Sequence, residues 1–496
     1  MEAVDPEKAR RKEIHRKSMI VTGALIAGSG LAAGWLGFAP SWLVPRLKLG
    51  PDGPRPDLEE RLKPMAVQWK DFGARGGERL TWLDLSARWS SASRIMDGTA
   101  YADPKVAKLL ADEFVAVRVD ADERPDLALR YLGKGWPTTA LLLSSGEVLT
   151  DGTYMDPPIL LQWGGEMAQK YREKRAQIQA AQRKSAEERE AAAAGRPLDR
   201  LAGEARSARA LAATWNGPAV FPRFDRLLAL ARLAAPWAAA VETGGRAKAL
   251  SLQDRDGGFF RDRGWSKSVD DEKRLGDQAD ALAYLASADP AAAAKLRRFV
   301  DEKLALPGGG YRSAVWSGGD DSRAFCDESA RMAAAMLADP AAAAAEKKQA
   351  RDTIQAFWAA RRAGLAPRQL KGGVSGLLGD QLGLIEGLLA AGRAADAKAL
   401  GAAMEKALLT PDGRAFYDRP AMRELSEGLD RITFAGLNAR ARRDLLALGR
   451  EDRARAVEGW LWSHTDGLDA GELALLAQGA EHGDRLDTSR GAGGGR

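Results

Sequence analysis

The sequence predicts a chain of three parts: an apolar N-terminal segment, an α/β domain and an all-α domain of six helical hairpins. Three observations support this division. No charged residue occurs from Ser18 to Pro45. Strand and helix signals alternate from about Val67 to Tyr171. The rest of the chain is rich in Ala and Leu, and an acidic residue recurs at a matched position about every 50 residues. This period suits one helical hairpin per repeat.

Composition narrows the classes of function. A chain of 496 residues with 45% hydrophobic content is long enough for two folded domains. The 74 Lys and Arg against 68 Asp and Glu leave a formal charge of +6, which is small and spread along the chain, so nucleic acid is not an expected partner. A single cysteine, Cys326, excludes an intramolecular disulfide, and only three histidines argue against a zinc site. We therefore predict no metal and no cofactor.

The N-terminal segment predicts a membrane anchor. IVTGALIAGSGLAAGWLGF is long enough, at about 1.5 Å per residue, to cross a hydrocarbon core of roughly 30 Å. Basic residues crowd its front edge and are sparser behind it, which favours a cytoplasmic N-terminus and a periplasmic body in a single-pass inner-membrane protein. A cleaved signal peptide is the alternative. The long apolar run without an adjacent A-x-A site favours an uncleaved anchor.

The α/β domain follows a β-α-β order with a closing hairpin and helix. RLTWLDLS and FVAVRVD have the β-branched and aromatic composition of buried strands, and the helical segment between them includes a start signal at Asp103-Pro104. TTALLLS and GEVLTDG predict two further strands joined by the turn Ser144-Ser145-Gly146. This order is that of the thioredoxin fold.

Several motifs in this domain carry a family resemblance: Trp89, Met96, DPKVAKLL, VDADERPDL, GWPT and the closing GTY. Together they resemble the family typified by spermatogenesis-associated protein 20, in which a thioredoxin-like domain is followed by an α/α toroid. The resemblance implies the same two domains here, over roughly residues 67 to 480. It also implies that Pro137 of GWPT is a cis-proline beside the active-site turn.

The chain departs from the family at the redox motif, since Ser90 and Ser93 stand where the family pattern has cysteines. Serine cannot supply a thiolate, so disulfide exchange is excluded. A serine nucleophile would need a base, and no histidine lies between His15 and His464. We expect Ser90 to cap the following helix. The groove formed by Trp89, Ser90, Ser93 and Pro137 remains a candidate binding site for an extended peptide.

The second domain contains an internal repeat. LGDQADALAYLA begins at Leu275 and LGDQLGLIEGLLA at Leu378, with AFCDESARMAAAMLA between them and FPRFDRLLALARLAA before them. A weaker fifth copy runs through TFAGLNARARRDLLALG. From Leu211 to Gln478 the chain contains about eleven or twelve apolar helical stretches, which is the number that a six-hairpin toroid requires. The acidic residue of each copy recurs at intervals of 52, 50 and 53 residues, at Asp225, Asp277, Asp327 and Asp380.

The predicted domain boundaries follow from these signals. The stretch QKYREKRAQIQAAQRKSAEEREAAAAGR is charged and Ala-rich, and indicates an exposed helix or a frayed connector between the domains. The segments are a basic N-terminus (1–18), the anchor (19–45), a spacer (46–66), the thioredoxin-like domain (67–170), the charged linker (171–200), the toroid (201–482) and a flexible tail (483–496).

The toroid offers weaker site candidates. Gln278 and Gln381 interrupt otherwise apolar helical stripes and are expected at the toroid mouth, where they would bind a ligand. Paired carboxylates could serve as acid and base in glycoside hydrolysis, or could simply be helix N-caps that complement the helix dipole. These carboxylates are Asp277, Asp327, Asp380 and Glu386.

Two functions remain from the sequence. The first is a binding or scaffold protein of the cell envelope with a protein or glycan ligand. The second is a carbohydrate-active enzyme, because the predicted toroid resembles those of sugar epimerases and six-hairpin glycosidases; this likeness of fold transfers no activity. Epimerase chemistry is further disfavoured, since those enzymes use histidines and none occurs among the repeats.

Overall fold

The computed structural model describes residues 63–133, 135–192, 200–216, 220–233, 236–263, 269–421 and 429–477. Within these residues no helix is both long and apolar enough to cross a membrane. The predicted anchor at 19–45 lies outside them, as do the basic N-terminus and the flexible tail. The anchor therefore stays a prediction.

The first domain is built on a four-stranded sheet of β1 (Leu80–Ser86), β2 (Phe114–Asp120), β3 (Thr138–Leu142) and β4 (Val148–Gly152). The strand order is β2-β1-β3-β4. β1 pairs in parallel with β2 and antiparallel with β3, and β3 pairs antiparallel with β4. β1 and β2 are almost wholly buried because helices cover the two faces of the sheet.

Two helices of this domain begin where the sequence predicts, after Ser90 and after Asp103. The Asp103 carboxylate accepts a hydrogen bond from the Lys105 amide at 2.7 Å and so caps a helix that starts with Pro104. The last helix continues into the predicted charged linker, with a kink at Lys174. The helices are α1 (Ser91–Gly98), α2 (Pro104–Glu113), α3 (Pro125–Tyr131) and α4 (Pro157–Ala192). This confirms the thioredoxin-like order.

The second domain contributes twelve α-helices within the described residues, in two concentric sets. The inner set is α6 (Phe224–Arg232), α8 (Leu275–Ala288), α10 (Cys326–Ala338), α12 (Leu378–Ala390), α14 (Ala435–Ala447) and α16 (Ala470–Ala477). The outer set is α5 (Arg200–Ala213), α7 (Pro236–Leu250), α9 (Pro290–Phe299), α11 (Ala344–Ala359), α13 (Ala394–Leu408) and α15 (Glu451–Trp462). Short strands at the inner-helix starts are β5 (Asp262–Arg263), β6 (Val269–Asp270), β7 (Lys273–Arg274), β8 (Ala314–Trp316) and β9 (Gly319–Asp321).

The helix contacts close a ring. Each inner helix packs against the next one along the chain, and α16 packs back against α6. Five inner helices pair with the outer helix that follows them, whereas α16 pairs with α5, so that the first and last helices complete the sixth hairpin. One apolar core runs continuously between the two layers. The all-α part is therefore a six-hairpin toroid, as the repeat predicted.

Candidate functional site

The serine turn of the first domain has the structure expected of a helix cap. Ser90 has extended backbone dihedrals, and its hydroxyl accepts a hydrogen bond from the Ser93 amide at 3.3 Å. The Trp136–Pro137 bond is cis, as the resemblance implied. Ser90 is 3% exposed and Ser93 is 1% exposed, so the remnant of the motif is closed to solvent.

The toroid covers this turn. A carboxylate oxygen of Glu272, a fully buried side chain just before α8, accepts a hydrogen bond from the Ser91 amide at 2.7 Å. A negative charge at a helix N-terminus complements the helix dipole. The Trp89 ring packs under the guanidinium groups of Arg261 and Arg274, 5.0 and 4.4 Å from its centroid. Toroid side chains thus cover the N-terminal end of α1 and the tryptophan before it.

The motif VDADERPDL supplies a second set of contacts, made by the acidic loop (residues 120–126). Arg323, just before α10, pairs with Asp120 at 2.9 Å and with Glu123 at 2.6 Å. Arg368, before α12, donates to the Asp122 carbonyl at 2.6 Å. Arg419, before α14, donates to the Asp126 carboxylate at 3.3 Å and is fully buried. The loops that precede consecutive inner helices therefore all reach the first domain, which sits over the toroid mouth.

This docking bears on the predicted peptide groove. Trp89, Ser90, Ser93 and Pro137 are all buried, and toroid side chains cover Trp89 and the start of α1. In this conformation the groove is not open to a peptide. The sequence analysis treated the domains separately and missed Glu272, which lies 181 residues from its partner Ser91 and leaves no local signal.

The two glutamines predicted as ligand-binding are structural. The Gln278 amide accepts from the Phe259 N–H at 2.7 Å and donates to the Phe259 carbonyl at 2.8 Å. Gln381 does the same with Ala366, at 2.8 and 3.3 Å. Both side chains are fully buried, because each satisfies the backbone of the turn that precedes its helix. The expectation that they face a ligand at the mouth is wrong. Asn438 plays the same part for Phe416.

The acidic repeat falls in the first turn of the inner helices rather than at their N-caps, which are Arg274, Phe325 and Leu377 and make no side-chain cap bond. The N-cap alternative is therefore wrong, although these carboxylates still complement the helix dipoles. Asp225 and Asp327 are second residues of their helices, whereas Asp277 and Asp380 are third residues. The repeated acids thus differ in which direction they face.

The second, sixth and ninth residues of the inner helices share one helical face, which points to the toroid axis. Ion pairs between non-adjacent helices confirm this direction: Arg440 of α14 reaches Asp327 of α10 at 2.7 Å across Gly383 of α12. The sixth residues include Asp280, Arg331 and Arg440, and the ninth residues include Arg232, Glu386 and Arg443.

Two of the predicted catalytic carboxylates, Asp327 and Glu386, belong to this axial network. Glu386 accepts from the Arg440 guanidinium at 2.8 and 3.2 Å. Burial opposes ionisation, but Arg440 outweighs it and holds the pKa of both carboxyl groups below their usual range. Arg331 also pairs with Asp327, at 3.6 Å, and with Asp280. Both candidates are ionised and neutralised by arginine.

The third candidate, Asp380, lies at the mouth and is 1% exposed. It accepts from Arg368 at 2.9 Å and from the Asp327 amide at 3.1 Å, while Arg368 also holds Glu328 through two bonds of 3.0 Å. Burial nevertheless raises the pKa of Asp380 to about 7. Asp277, the fourth candidate, is half-buried, with one buried carboxylate oxygen that has no hydrogen-bond partner among the described residues.

The arrangement does not favour a metal. Across the described ranges no group of three or more His, Cys, Asp or Glu side chains is placed to hold an ion. Cys326 is buried, and burial raises the pKa of its thiol well above the ordinary value, so it is no nucleophile. A surface depression at the outer turn between α14 and α15 is lined by Gly449 to Arg453 and Arg455. None of the predicted catalytic carboxylates lines it.

Sequence reasoning missed the central members of the axial network, Asp280, Arg331 and Arg440. A signal was present. Asp280 follows Asp277 by three residues, and each of the three is the sixth residue of its inner helix. Aligning the repeats on the helix starts, rather than on the acidic residue alone, would have placed all three on the axial face.

Comparison with known proteins agrees with the thioredoxin-like order of the first domain. Residues 65–190 match the family model Thioredox_DsbH, described as a protein of unknown function, DUF255. The match spans the first domain, from before β1 to near the end of α4. It is 34% identical over 105 residues to the uncharacterized protein B0495.5 of Caenorhabditis elegans, and 27% identical over 105 residues to spermatogenesis-associated protein 20 of Homo sapiens. Each match covers 18% of this chain, and 14% and 13% of the relatives' own lengths.

Solved structures with some likeness include two sugar-modifying enzymes. Cellobiose 2-epimerase from Bacillus thermoamylovorans B4167 aligns with 49% of this chain and 74% of its own, at 11% identity and a TM-score of 0.40. A sugar epimerase from a ruminal bacterium aligns with 50% and 75%, at 12% identity and a TM-score of 0.39. Likeness at this level carries no argument about activity. The second domain is assigned as a toroid from the contacts between its own helices.

Proposed function

We propose that the chain is a redox-inactive binding or scaffold protein whose thioredoxin-like domain caps the toroid. The hydrogen bond between Ser91 and Glu272 supports this proposal most directly. Through it a carboxylate of the toroid occupies the N-terminus of α1, the helix end at which a thioredoxin carries its active site. Contacts of the acidic loop with Arg323, Arg368 and Arg419 extend this interface to the loops before α10, α12 and α14. The two domains then act as one body.

The remaining parts of the proposal rest on the sequence. Residues 19–45 would anchor the protein in the inner membrane, with the two domains in the periplasm. The partner would be a protein or a glycan, bound on surfaces that the two domains leave open. In this arrangement the thioredoxin-like domain contributes shape and charge rather than redox chemistry.

The proposed cap can be tested with introduced thiols. In the Ser90→Cys/Ser93→Cys variant, we expect the new thiols to label with Ellman's reagent at least about 100-fold more slowly than the thiol of a Ser145→Cys variant, because labelling requires the domains to open. Ser145 lies on the exposed β3–β4 turn, and the buried native Cys326 adds little background. The double variant should also fail to reduce insulin disulfides.

A loosened interface provides the matched comparison. Adding Glu272→Ala and Arg323→Ala to the double-cysteine variant should restore fast labelling, because both side chains hold the first domain to the toroid. Fast labelling of the double variant without these changes would mean that the groove is open in solution, and the cap would be refuted.

One observation favours the alternative, a carbohydrate-active enzyme. Burial, with Asp225 and Asp277 nearby, raises the pKa of Asp280 to about 6 despite Arg331, whereas the pKa of Glu386 is held low. Two carboxyl groups whose pKa values are pushed apart are what acid–base hydrolysis of a glycoside needs. Under this alternative the protein would release products from a cell-envelope oligosaccharide, and Asp280→Asn would abolish release without unfolding the toroid. Unchanged release in that variant would eliminate this role for Asp280.

A further inference from the structure

We propose that the end of the toroid axis far from the thioredoxin-like domain binds a small ligand through an oxyanion group, a carboxylate or phosphate, held by Arg232 and Arg443. The proposal rests on the position of these two arginines, on the charged residues around them and on their exposure to solvent. It does not depend on the cap over the mouth, because it concerns the opposite end of the same axis.

The two arginines lie at one depth. Arg232, Arg443 and Glu386 are each the ninth residue of an inner helix, about 12 Å from the helix start at 1.5 Å per residue. The ninth residues of α8 and α10 are alanines, Ala283 and Ala334. Ala283 is exposed and Ala334 is partly exposed, although both belong to inner helices. Small side chains at this depth leave space that water reaches.

The charges at this depth are not balanced. Arg440 already holds Glu386 by two hydrogen bonds, and the contact of Glu386 with Arg443 is longer, at 3.9 Å. Within the described part of the chain Arg232 makes neither a hydrogen bond nor an ion pair. The nearby Asp280 is engaged by Arg331. Two ionised carboxylates, Glu386 and Asp327, thus face the three guanidinium groups of Arg440, Arg443 and Arg232, which leaves one positive charge in excess.

The electrostatic environment agrees with this count. Burial and the positive charge of Arg443 lower the pKa of Arg232, although its side chain is open to solvent. Burial, reinforced by Glu386, raises the pKa of Asp444, the tenth residue of α14, and one of its carboxyl oxygens has no hydrogen-bond partner among the described residues. Arg232 is thus close to other charged groups and also exposed to solvent, as a side chain that lines a water-filled passage would be.

An oxyanion group suits this arrangement. A guanidinium group offers a planar fork of donors that matches a carboxylate or phosphate, and such charge-assisted hydrogen bonds are about twice as strong as neutral ones. Arg443 is 42% exposed, so its fork is accessible to a ligand. We therefore expect the anion to enter from the far end, where both arginine side chains are exposed.

The test uses the full-length protein and calorimetric titration with sodium glucuronate, inorganic phosphate and glucose. We expect glucuronate, phosphate or both to bind and glucose, which lacks the carboxylate, not to bind. Arg232→Gln and Arg443→Gln should each weaken binding by at least about tenfold, the loss expected for one charge-assisted hydrogen bond. Arg455→Gln, on the outer helix α15 and 66% exposed, should bind as the parent does.

The outcomes separate the ligand sources and the alternatives. Binding of phosphate alone indicates an inorganic or phosphorylated ligand, and binding of glucuronate alone indicates a carboxylated one; either supports the site. Arg232→Gln should also leave the melting temperature unchanged or raise it, because it removes an unpaired cation. The proposal is overturned if neither anion binds, if glucose binds equally well, if both arginine variants bind as the parent does, or if Arg232→Gln unfolds the toroid.

Discussion

Replacing Arg440 with methionine should lower the free energy of unfolding by about 3–5 kcal/mol, the range measured when one partner of a buried ion pair is removed. Arg440 is 13% exposed and is shared by Asp327 at 2.7 Å and Glu386 at 2.8 Å. Methionine keeps much of the volume but leaves two carboxylates beside each other with no countercharge between them. Urea unfolding at pH 7 measures the effect.

The pH dependence of this variant distinguishes lost charge from lost packing. In the parent, Arg440 holds the pKa of Asp327 and Glu386 low, so its contribution is present above about pH 4.5 and is lost as pH falls below the folded-state pKa. The destabilisation should therefore shrink only as pH falls below about 4, where these carboxyl groups take up protons. Arg455→Met, at an exposed position of α15, should change stability by less than about 0.5 kcal/mol at either pH. A cost independent of pH would assign Arg440 to packing alone.

Replacing Arg368 with methionine should also cost about 3–5 kcal/mol, and should loosen the two domains as well. Arg368 is 2% exposed and holds Glu328, Asp380 and the Asp122 carbonyl together. Its loss removes the guanidinium donor from two acids and one carbonyl oxygen, and leaves Asp380 with the Asp327 amide alone. Urea unfolding, together with limited proteolysis between the domains, measures both effects.

The pH effect here has the same sign as that of Arg440→Met but lies at higher pH, because the pKa of Asp380 is raised rather than lowered. Burial raises the pKa of Asp380 to about 7 even with Arg368 present, and without the arginine it should rise further. Protonation then removes the uncompensated charge, so the variant should be closer to the parent at pH 5 than at pH 8. Arg351→Met, exposed on α11, serves as the control and should be nearly neutral. Equal costs at both pH values would show that Asp380 does not depend on Arg368.

Local features of the first domain were predictable because their causes are local. Ser90 caps α1 through a bond to an amide three residues away, and Asp103 caps α2 through an amide two residues away. Alternating strand and helix signals gave the element order. The same locality explains why the acidic repeat located the inner helices, since each repeat is one hairpin.

The candidate sites were less predictable because their partners are distant in sequence. Gln278 appeared ligand-facing from its helix, yet its partner is the turn at Phe259, 19 residues earlier. Glu386 appeared as a free acid, yet Arg440, 54 residues later, neutralises it. Neither helical periodicity nor composition states which face of a helix meets which neighbour.

The sequence by itself determined the absence of thiol chemistry at the serine turn, the thioredoxin-like order and the repeating hairpins, because these depend on residue type and short-range spacing. Only the tertiary structure decided that the remnant active-site face is covered by Glu272 and that the axial acids are neutralised by arginines. The physical reason is that burial and charge pairing arise when the ring closes and the domains dock, which brings together residues up to 300 positions apart, such as Arg130 and Asp430.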